Sequence, residues 1–287
     1  MGISFNQVSH IYPGIKRNDG VVAIKDINLN INEEGEFICI VGQTGSGKST
    51  LVQHMNGLLL PTDGTVNIFD NVLTNKKRKN PKLKPVRKRV GFVFQFPEYQ
   101  LFEETVIKDI IFAPKNFGED ENVAISKAKE VCKELKIDES LLNKSPFNLS
   151  GGQMRKVAIA GILSYEPDIL LLDEPTRGLD PKGQVEIMDI FYNRFLRNKK
   201  SMIVITHDMD LVYKYATRVI VMKNEKLFFD GSAKELFSSN LYKESHLTKP
   251  SILKLIDHLN NKLNLNLSYD FKDEDQLLEY LGGEANE

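Results

Sequence analysis

Phe37-Ile-Cys-Ile-Val41, followed by Gly42-Gln43-Thr44-Gly45-Ser46-Gly47-Lys48-Ser49-Thr50 and then Leu51-Val52-Gln53-His54-Met55, is the stretch of this chain on which the fold turns. Five apolar residues in a row predict a strand covered on both faces, the pattern of a parallel sheet. The glycines that follow allow positive φ, so that successive N–H groups can turn inward and form an anion-binding nest. The residues from Thr50 onward carry a helical pattern, and a helix N-terminus adds its own free N–H groups and positive dipole end. In that context Gly42-x4-Gly47-Lys48-Ser49 fits the P-loop pattern, with Lys48 expected to reach terminal phosphates and Ser49 to ligate Mg²⁺. A plain glycine-rich turn would need neither the lysine nor the hydroxyl. The pattern alone does not separate a kinase from a GTPase or a motor.

The 287 residues suit one large domain, or one domain with appendages. With 41% hydrophobic and 27% charged residues the composition is that of an ordinary soluble protein, and a net charge of -1 argues against a polyanion binder. No apolar run approaches the roughly 20 residues that cross a bilayer. The opening stretch MGISFNQVSHIYPG lacks the charged-then-apolar layout of a secretory signal. Work at a membrane therefore requires spanning helices from another chain. Cys39 and Cys132, too few for a disulfide framework and without metal-ligand spacing, read as reduced thiols of a cytoplasmic protein.

Strand patterns recur at Ser4–Val8, Val22–Leu29, Phe37–Val41, Thr65–Phe69, Val90–Phe94, Ile169–Leu172, Met202–Ile205, Val219–Met222 and Lys226–Phe229. Helical patterns follow several of them, at Lys48–Asn56, Pro181–Arg197 and Met209–Tyr215, and the alternation predicts an α/β sheet with right-handed crossovers. From Gln95 to about Leu163 no strand is convincing, and Val123, Ala128, Val131 and Leu135 keep a helical period, which predicts an inserted helical subdomain. After about Ser245, Ile252, Leu253, Ile256, Leu259 and Leu263 predict an appended helix whose apolar stripe must pack on something. A polar end, Gly282–Glu287, follows it.

Two further motifs narrow the function. Ile169-Leu-Leu-Leu-Asp173-Glu174 is a buried strand ending in two acids: Asp173 can hold Mg²⁺, and Glu174 can orient and deprotonate an attacking water. Leu149-Ser150-Gly151-Gly152-Gln153, ahead of Met-Arg-Lys-Val-Ala-Ile-Ala160, opens a helix on a hydroxyl residue and two glycines, a second phosphate-binding geometry. One ATP needs only one P-loop, so the second anion site has to serve another nucleotide. Here the sequence resembles the ATP-binding-cassette ATPases, whose signature is LSGGQ.

That resemblance covers most of residues 1–231. It implies an α/β fold: a P-loop NTPase (RecA-like) core with an antiparallel β subdomain, an inserted α-helical subdomain and a C-terminal helical extension. It implies ATP and Mg²⁺ as ligands, with Gly42, Gln43, Thr44, Gly45, Ser46, Gly47, Lys48, Ser49 and Thr50 around the phosphates and Tyr12 placed like the aromatic residue that stacks on adenine. Ser150, Gly151, Gly152 and Gln153 would close over ATP held by a partner subunit. Gln95 matches the glutamine that senses the γ-phosphate and Mg²⁺, Ser49 and Asp173 being the other metal ligands. His207 matches the histidine of the switch strand, Gly178-Leu-Asp180 the loop that communicates across the dimer, and Glu174, His207, Lys48 and Gln95 form the expected catalytic set.

Gln95-Phe-Pro-Glu-Tyr-Gln-Leu-Phe-Glu-Glu-Thr105 lies where transporter ATPases receive their membrane subunit. Phe96, Tyr99, Leu101 and Phe102 are expected as an apolar docking surface rimmed by Glu98, Glu103 and Glu104, unless they are subdomain core. This wording, with Ala113-Pro-Lys-Asn-Phe-Gly118 and Glu174-Pro-Thr-Arg-Gly-Leu-Asp-Pro181, is similar to the energy-coupling factor transporters. The similarity implies import of vitamins or transition-metal ions, a transmembrane coupling protein, a substrate-binding membrane protein, and a place on the cytoplasmic face of the cell membrane. It also implies pairing with a paralogous ATPase, or with itself. Residues 1–245 would form the ATP-binding domain (helical subdomain about 96–163), and 246–287 an extension that helps hold the pair together.

The basic run Lys76, Lys77, Arg78, Lys79, Lys82, Lys84, Arg87, Lys88 and Arg89 is the exception to the neutral balance. Without interleaved aromatics, and with Pro81 and Pro85 inside it, it reads as a solvated loop between strands, ahead of lipid headgroup contact and of nucleic acid. No nucleic-acid partner is expected. A soluble cassette ATPase acting on DNA or ribosomes usually carries long coiled coils or two cassettes, and this chain shows one cassette and no sustained heptads.

Overall fold

The computed structural model describes residues 2–14, 19–76 and 80–284. Its centre is a six-stranded sheet of β3 (Phe37–Val41), β6 (Val90–Val93), β7 (Ile169–Asp173), β8 (Met202–Ile205), β9 (Arg218–Lys223) and β10 (Lys226–Gly231), in the spatial order β10-β9-β3-β8-β7-β6. All neighbours pair in parallel except the edge strand β10, which returns antiparallel beside β9. A second sheet is antiparallel, with β1 (Ile3–Tyr12), β2 (Val21–Ile31), β4 (Asp63–Ile68) and β5 (Asn71–Leu73) in the order β2-β1-β4-β5. The fold is α/β, as expected.

The continuously apolar strands have a direct explanation in the packing. Phe37, Cys39 and Val41 join one buried cluster, while Ile38 and Ile40 join another on the opposite face of the same strand. Leu170 and Leu172 of β7 are divided in the same way from Ile169 and Leu171, and Val204 of β8 from Ile203 and Ile205. A strand whose side chains alternate between two dry layers has no face left for polar residues. One layer is roofed by the antiparallel sheet and by α1 (Lys48–Met55). The other is roofed by α6 (Pro181–Asn198) and by the helical region of α3 (Val106–Asn116), α4 (Glu121–Glu134) and α5 (Gly151–Leu163). The helix expected at Glu121–Leu135 forms, with the Asp120 carboxylate accepting from Asn122 and Val123 N–H at its start.

After α7 (Met209–Tyr215), β9 and β10 come α8 (Ala233–Ser238), α9 (Leu241–Glu244), α10 (Ser251–Leu263) and α11 (Glu274–Glu284). The stripe on α10 finds its partner within the same chain, since Ile252, Leu253 and Ile256 are buried in the layer that also holds Phe191 and Tyr213. Leu263, at its end, and Leu278 of α11 stay exposed. The thiols of Cys39 and Cys132 are free and buried, and burial pushes them up to about 12 and about 11, which leaves them unreactive.

The basic run departs from expectation. Leu83–Arg89 is a helix, α2, not a loop. Pro85 lies in its first turn, where a missing N–H costs nothing, and Val86 is buried beneath it. Arg89, only partly exposed, pairs with Glu33 at 2.8 Å and Asp168 at 2.6 Å and covers the Phe69 ring. Lys77, Arg78 and Lys79 lie outside the described residues, as do the last three of the polar end Gly282–Glu287.

Candidate active site

The order of the parallel strands assembles the site. β3, β8, β7 and β6 are successive neighbours, in a register that pairs Ile40 with Ile205, Ile205 with Asp173, and Leu172 with Val93. Their carboxyl ends therefore open onto one edge of the sheet, the usual place for a ligand in an open α/β sheet. Gly42 leaves β3 there, His207 follows β8, Asp173 and Glu174 end β7, and Gln95 follows β6. A cleft of about 830 Å³ runs along this edge, lined by Tyr12, Thr44, Gly45, Gly47, Lys48, Ser49, Thr50, Gln95, Glu174 and His207, among others.

The loop between β3 and α1 has a shape that only glycine permits at two points. Gly42 has φ +140°, and a Cβ there would stand 2.1 Å from the Met222 carbonyl oxygen of β9. Gly47 has φ +99°, with a Cβ 2.3 Å from the Ala23 carbonyl oxygen of β2. The loop is thus pressed between the two sheets, and α1 starts at Lys48 directly after it. Lys48, only 6% exposed, donates from Nζ to the carbonyl oxygens of Gly42 and Gln43, each at 2.8 Å. Burial lowers the affinity of its amine for a proton, against the pull of Glu174 and Asp173. Ser46 is buried in the loop with its hydroxyl unpaired among the described residues. At the mouth of the cleft Tyr12 is half-exposed, its hydroxyl 3.3 Å from the Thr50 hydroxyl and its ring edge-on to His10.

Glu174 sits at the focus. Its backbone has φ +47°, in the left-handed region that a glutamate rarely adopts, and strain of that kind clusters at functional sites. One carboxylate oxygen accepts from Gln95 Nε2 at 2.6 Å and from an Arg177 guanidinium N–H at 2.9 Å, and the other lies 2.9 Å from His207 Nε2. Burial alone would raise its proton affinity, but Arg177, Gln95 and His207 outweigh it and hold Glu174 below the usual carboxylate range. Asp173, one residue earlier, goes the other way: burial and the charge of Glu174 raise it, against a hydrogen bond from Ser49 and the charges of Lys48 and His207. Two adjacent acids with opposed environments are suited to different tasks.

Arg177 escapes the motif reading, because a lone arginine three residues past the acids carries no spacing that marks it. The signature segment, by contrast, does not join this cleft. Ser150, Gly152 and Gln153 line a separate cavity of about 320 Å³ beside Leu179 and Gly183, with no residue in common. Ser150 caps α5 in a reciprocal box with Gln153, its hydroxyl accepting from Gln153 N–H while the Gln153 side-chain oxygen Oε1 accepts from Ser150 N–H at 3.0 Å. The expected docking surface is partly corrected. Leu101 belongs to the core, and Glu98, only partly exposed, is held in an ion pair with Arg155 rather than standing free as a rim charge. Phe96, Phe102 and Tyr99, the last 83% exposed, do.

Residues 24–177 match the family model described as ABC transporter. The energy-coupling factor transporter ATP-binding protein EcfA2 of Ligilactobacillus salivarius is 49% identical over 93% of this chain and 93% of its own. A protein of the same name in Geobacillus kaustophilus is 46% identical over 92% of this chain and 91% of its own. Among solved structures, cbiO1 from Clostridium perfringens, described as part of the ABC transporter complex cbiONQ, superposes with a TM-score of 0.71 at 33% identity, covering 91% of this chain and 95% of that one. A dimeric ATP-binding cassette in a post-hydrolysis state, bound to ADP and Pi, gives 0.70 at 30% identity over 80% of this chain and 98% of its own.

The burial of Lys48 against the loop gives one expectation. Lys48→Ala weakens ATP binding by roughly 10- to 100-fold, the scale of one charge-assisted hydrogen bond, as read by calorimetric titration. Unchanged affinity would count against the cleft as the phosphate site.

Proposed function

The chain belongs to the ABC transporter ATPases, and from that premise we propose that it is the ATP-binding and ATP-hydrolysing subunit of an energy-coupling factor importer. The observation that carries the mechanism is at the start of α5. Gly151 and Gly152 have ordinary φ, and a Cβ on either would meet nothing within 4 Å. Nothing among the described residues requires glycine there, although a glycine in a helix costs about 0.5–1 kcal/mol relative to alanine. The room they leave is room for something that approaches from outside. With the cleft elsewhere on the same chain, the reading is a composite site: ATP held by the loop of one subunit and closed over by Ser150, Gly151, Gly152 and Gln153 of another.

In that site Lys48 and the inward-turned N–H groups of the loop offset the charge of the β- and γ-phosphates. Tyr12 stacks on the adenine at the mouth of the cleft. Glu174, kept ionised by Arg177, Gln95 and the nearby His207, takes the proton of the attacking water, and His207 holds the carboxylate in line. The donor set also fits Mg²⁺. Asp173 carries a charge that burial disfavours, and the Ser49 hydroxyl is its hydrogen-bonding neighbour, so a hard cation beside these oxygens relieves the cost. Among the described residues no cluster of three or more His, Cys, Asp or Glu offers a metal an alternative. Gln95, bound to Glu174, is the third group placed to sense that ion and the γ-phosphate.

No helix among the described residues is long and apolar enough to cross a membrane, so the transported vitamin or transition-metal ion passes through other chains. Phe96, Tyr99 and Phe102 offer the transmembrane coupling protein its docking surface on the cytoplasmic face. A paralogous ATPase, or a second copy, supplies the other half of each site. Leu263 and Leu278, exposed on the C-terminal helices of residues 246–287, are the residues with which that extension would hold the pair together.

Glu174→Gln is expected to bind ATP normally and to lose turnover by a factor on the order of 10² or more, measured as phosphate release. Wild-type turnover in that variant would sink the role of Glu174. Affinity purification from solubilised membranes is expected to recover a second ATPase and two small membrane proteins. Recovery of two large permeases with a soluble receptor would point to an importer of another type.

A further inference from the structure

A second arginine ties the docking segment to the strained loop. The segment after Gln95 makes a 3₁₀ turn, Pro97–Gln100, in which Pro97 is buried and Tyr99 exposed. Glu98 of that turn faces Arg155, one turn into α5. Arg155 is 5% exposed and meets the Glu98 carboxylate in a fork, Nε to one oxygen and a terminal N–H to the other, both at 3.2 Å. Its remaining terminal nitrogen donates to the Arg177 carbonyl oxygen at 2.6 Å. Arg177, with its backbone held this way, lays its guanidinium 5.9 Å from the Phe96 ring centroid and donates to Glu174.

A buried ion pair is a poor device for stability, because the desolvation of both charges offsets most of their attraction. A guanidinium fork is a good device for geometry, because its planar donors fix the partners they bind. Here the fork and its two partners belong to three different parts of the site: Arg155 to the signature helix, Glu98 to the docking segment and Arg177 to the loop that carries Glu174. Gln95 and Arg177 bind the same carboxylate oxygen of Glu174, and both are moored to the segment Gln95–Gln100, one by the chain itself and one through Arg155 and Glu98.

We propose that Arg155 is a positioning residue for ATP hydrolysis: through Glu98 and the Arg177 carbonyl it sets the Arg177 contact to Glu174, so that the placement of the docking segment governs the geometry of the base. The inference rests on the reading of Glu174 as the base. It assigns to Arg155 and Arg177 roles that the motifs do not.

The test uses the full-length chain in its assembled transporter, with kcat and KM for ATP measured in Glu98→Gln, Arg155→Lys, Arg155→Met, Arg177→Ala and the double variant Glu98→Gln/Arg177→Ala. Glu98→Gln, which keeps the shape of the side chain and removes only its charge, guards against a variant that fails to fold. Loss of the fork is expected to lower kcat by roughly 10- to 100-fold, the scale of a small misplacement of a catalytic group, while KM for ATP stays within about twofold. Arg155→Lys is expected not to restore the rate, since an ammonium cannot span three acceptors in one plane. Once Arg177 is alanine, Glu98→Gln should have no further effect, because both act on one contact. The inference is overturned if Glu98→Gln and Arg155→Lys lose thermal stability but keep kcat, or if the losses in the double variant multiply. Should Glu174→Gln retain turnover in the same assay, the reading of the site as an ATPase centred on Glu174 fails, and the inference falls with it.

Discussion

The carboxylate of Glu174 is met by three side chains from three different places in the chain, two of them hydrogen-bond donors and the third, His207, 2.9 Å away. Gln95 comes from the end of β6, His207 from the end of β8, and Arg177 from the turn that follows Glu174 itself. No local element could bring these together. They meet because β6, β7 and β8 are adjacent and parallel, so that their carboxyl ends share an edge. The dry layers on both faces of the sheet hold that order. The loop that begins at Gly42 arrives at the same edge from β3, pressed between β9 and β2 at its two tightest glycines. The geometry around Glu174 is therefore a property of the whole core. The backbone strain at Glu174 is tolerated because the sheet holds Asp173 just before it and the Glu174 N–H itself donates to the Ile205 carbonyl oxygen of β8 at 3.0 Å.

The same chain keeps its signature segment, Leu149–Gln153, away from that edge. The start of α5 is capped by its own residues and opens on a different cavity. It carries two glycines whose absent side chains leave open space rather than fill a need of the fold. In the composite site proposed above, division of one chemical site between two surfaces would make hydrolysis a reporter of subunit approach. In a transporter that is the useful arrangement, since the closing of two ATPases can then be linked to movement of the membrane subunits that they carry.

Much of this is legible from the residues alone, for physical reasons that differ from place to place. Strands β3, β7 and β8 announce themselves because burial on both faces leaves an unbroken apolar run. The loop and the acids of β7 announce themselves because phosphate and metal chemistry tolerate few residue types at fixed spacing. The helix α2 does not, because its two apolar residues, Leu83 and Val86, are too few to set a period among the lysines and arginines, and two prolines stand at its head. Arg89 was placed in solvent by its neighbours in sequence, yet its partners, Glu33 and Asp168, lie far away along the chain. Arg155 and Arg177 are hidden for the same reason. Their roles come from Glu98 and Glu174, and only the folded chain brings those groups within reach. Leu101 is a case of two meanings for one residue type: an apolar side chain in an aromatic segment can dock a partner or fill the core, and here it fills the core.

The claim at the centre is that the glycines of the signature serve the nucleotide of another subunit. ATP turnover of the full-length Gly152→Trp variant, measured as phosphate release at saturating ATP, tests it most directly. Because a side chain at Gly152 starts in open space, the variant should fold, and its own ATP cleft is untouched. The expected result is normal ATP binding with turnover lowered by a factor on the order of 10² or more, the cost of obstructing a preorganised transition-state contact. Turnover equal to that of the unaltered protein would contradict the composite site.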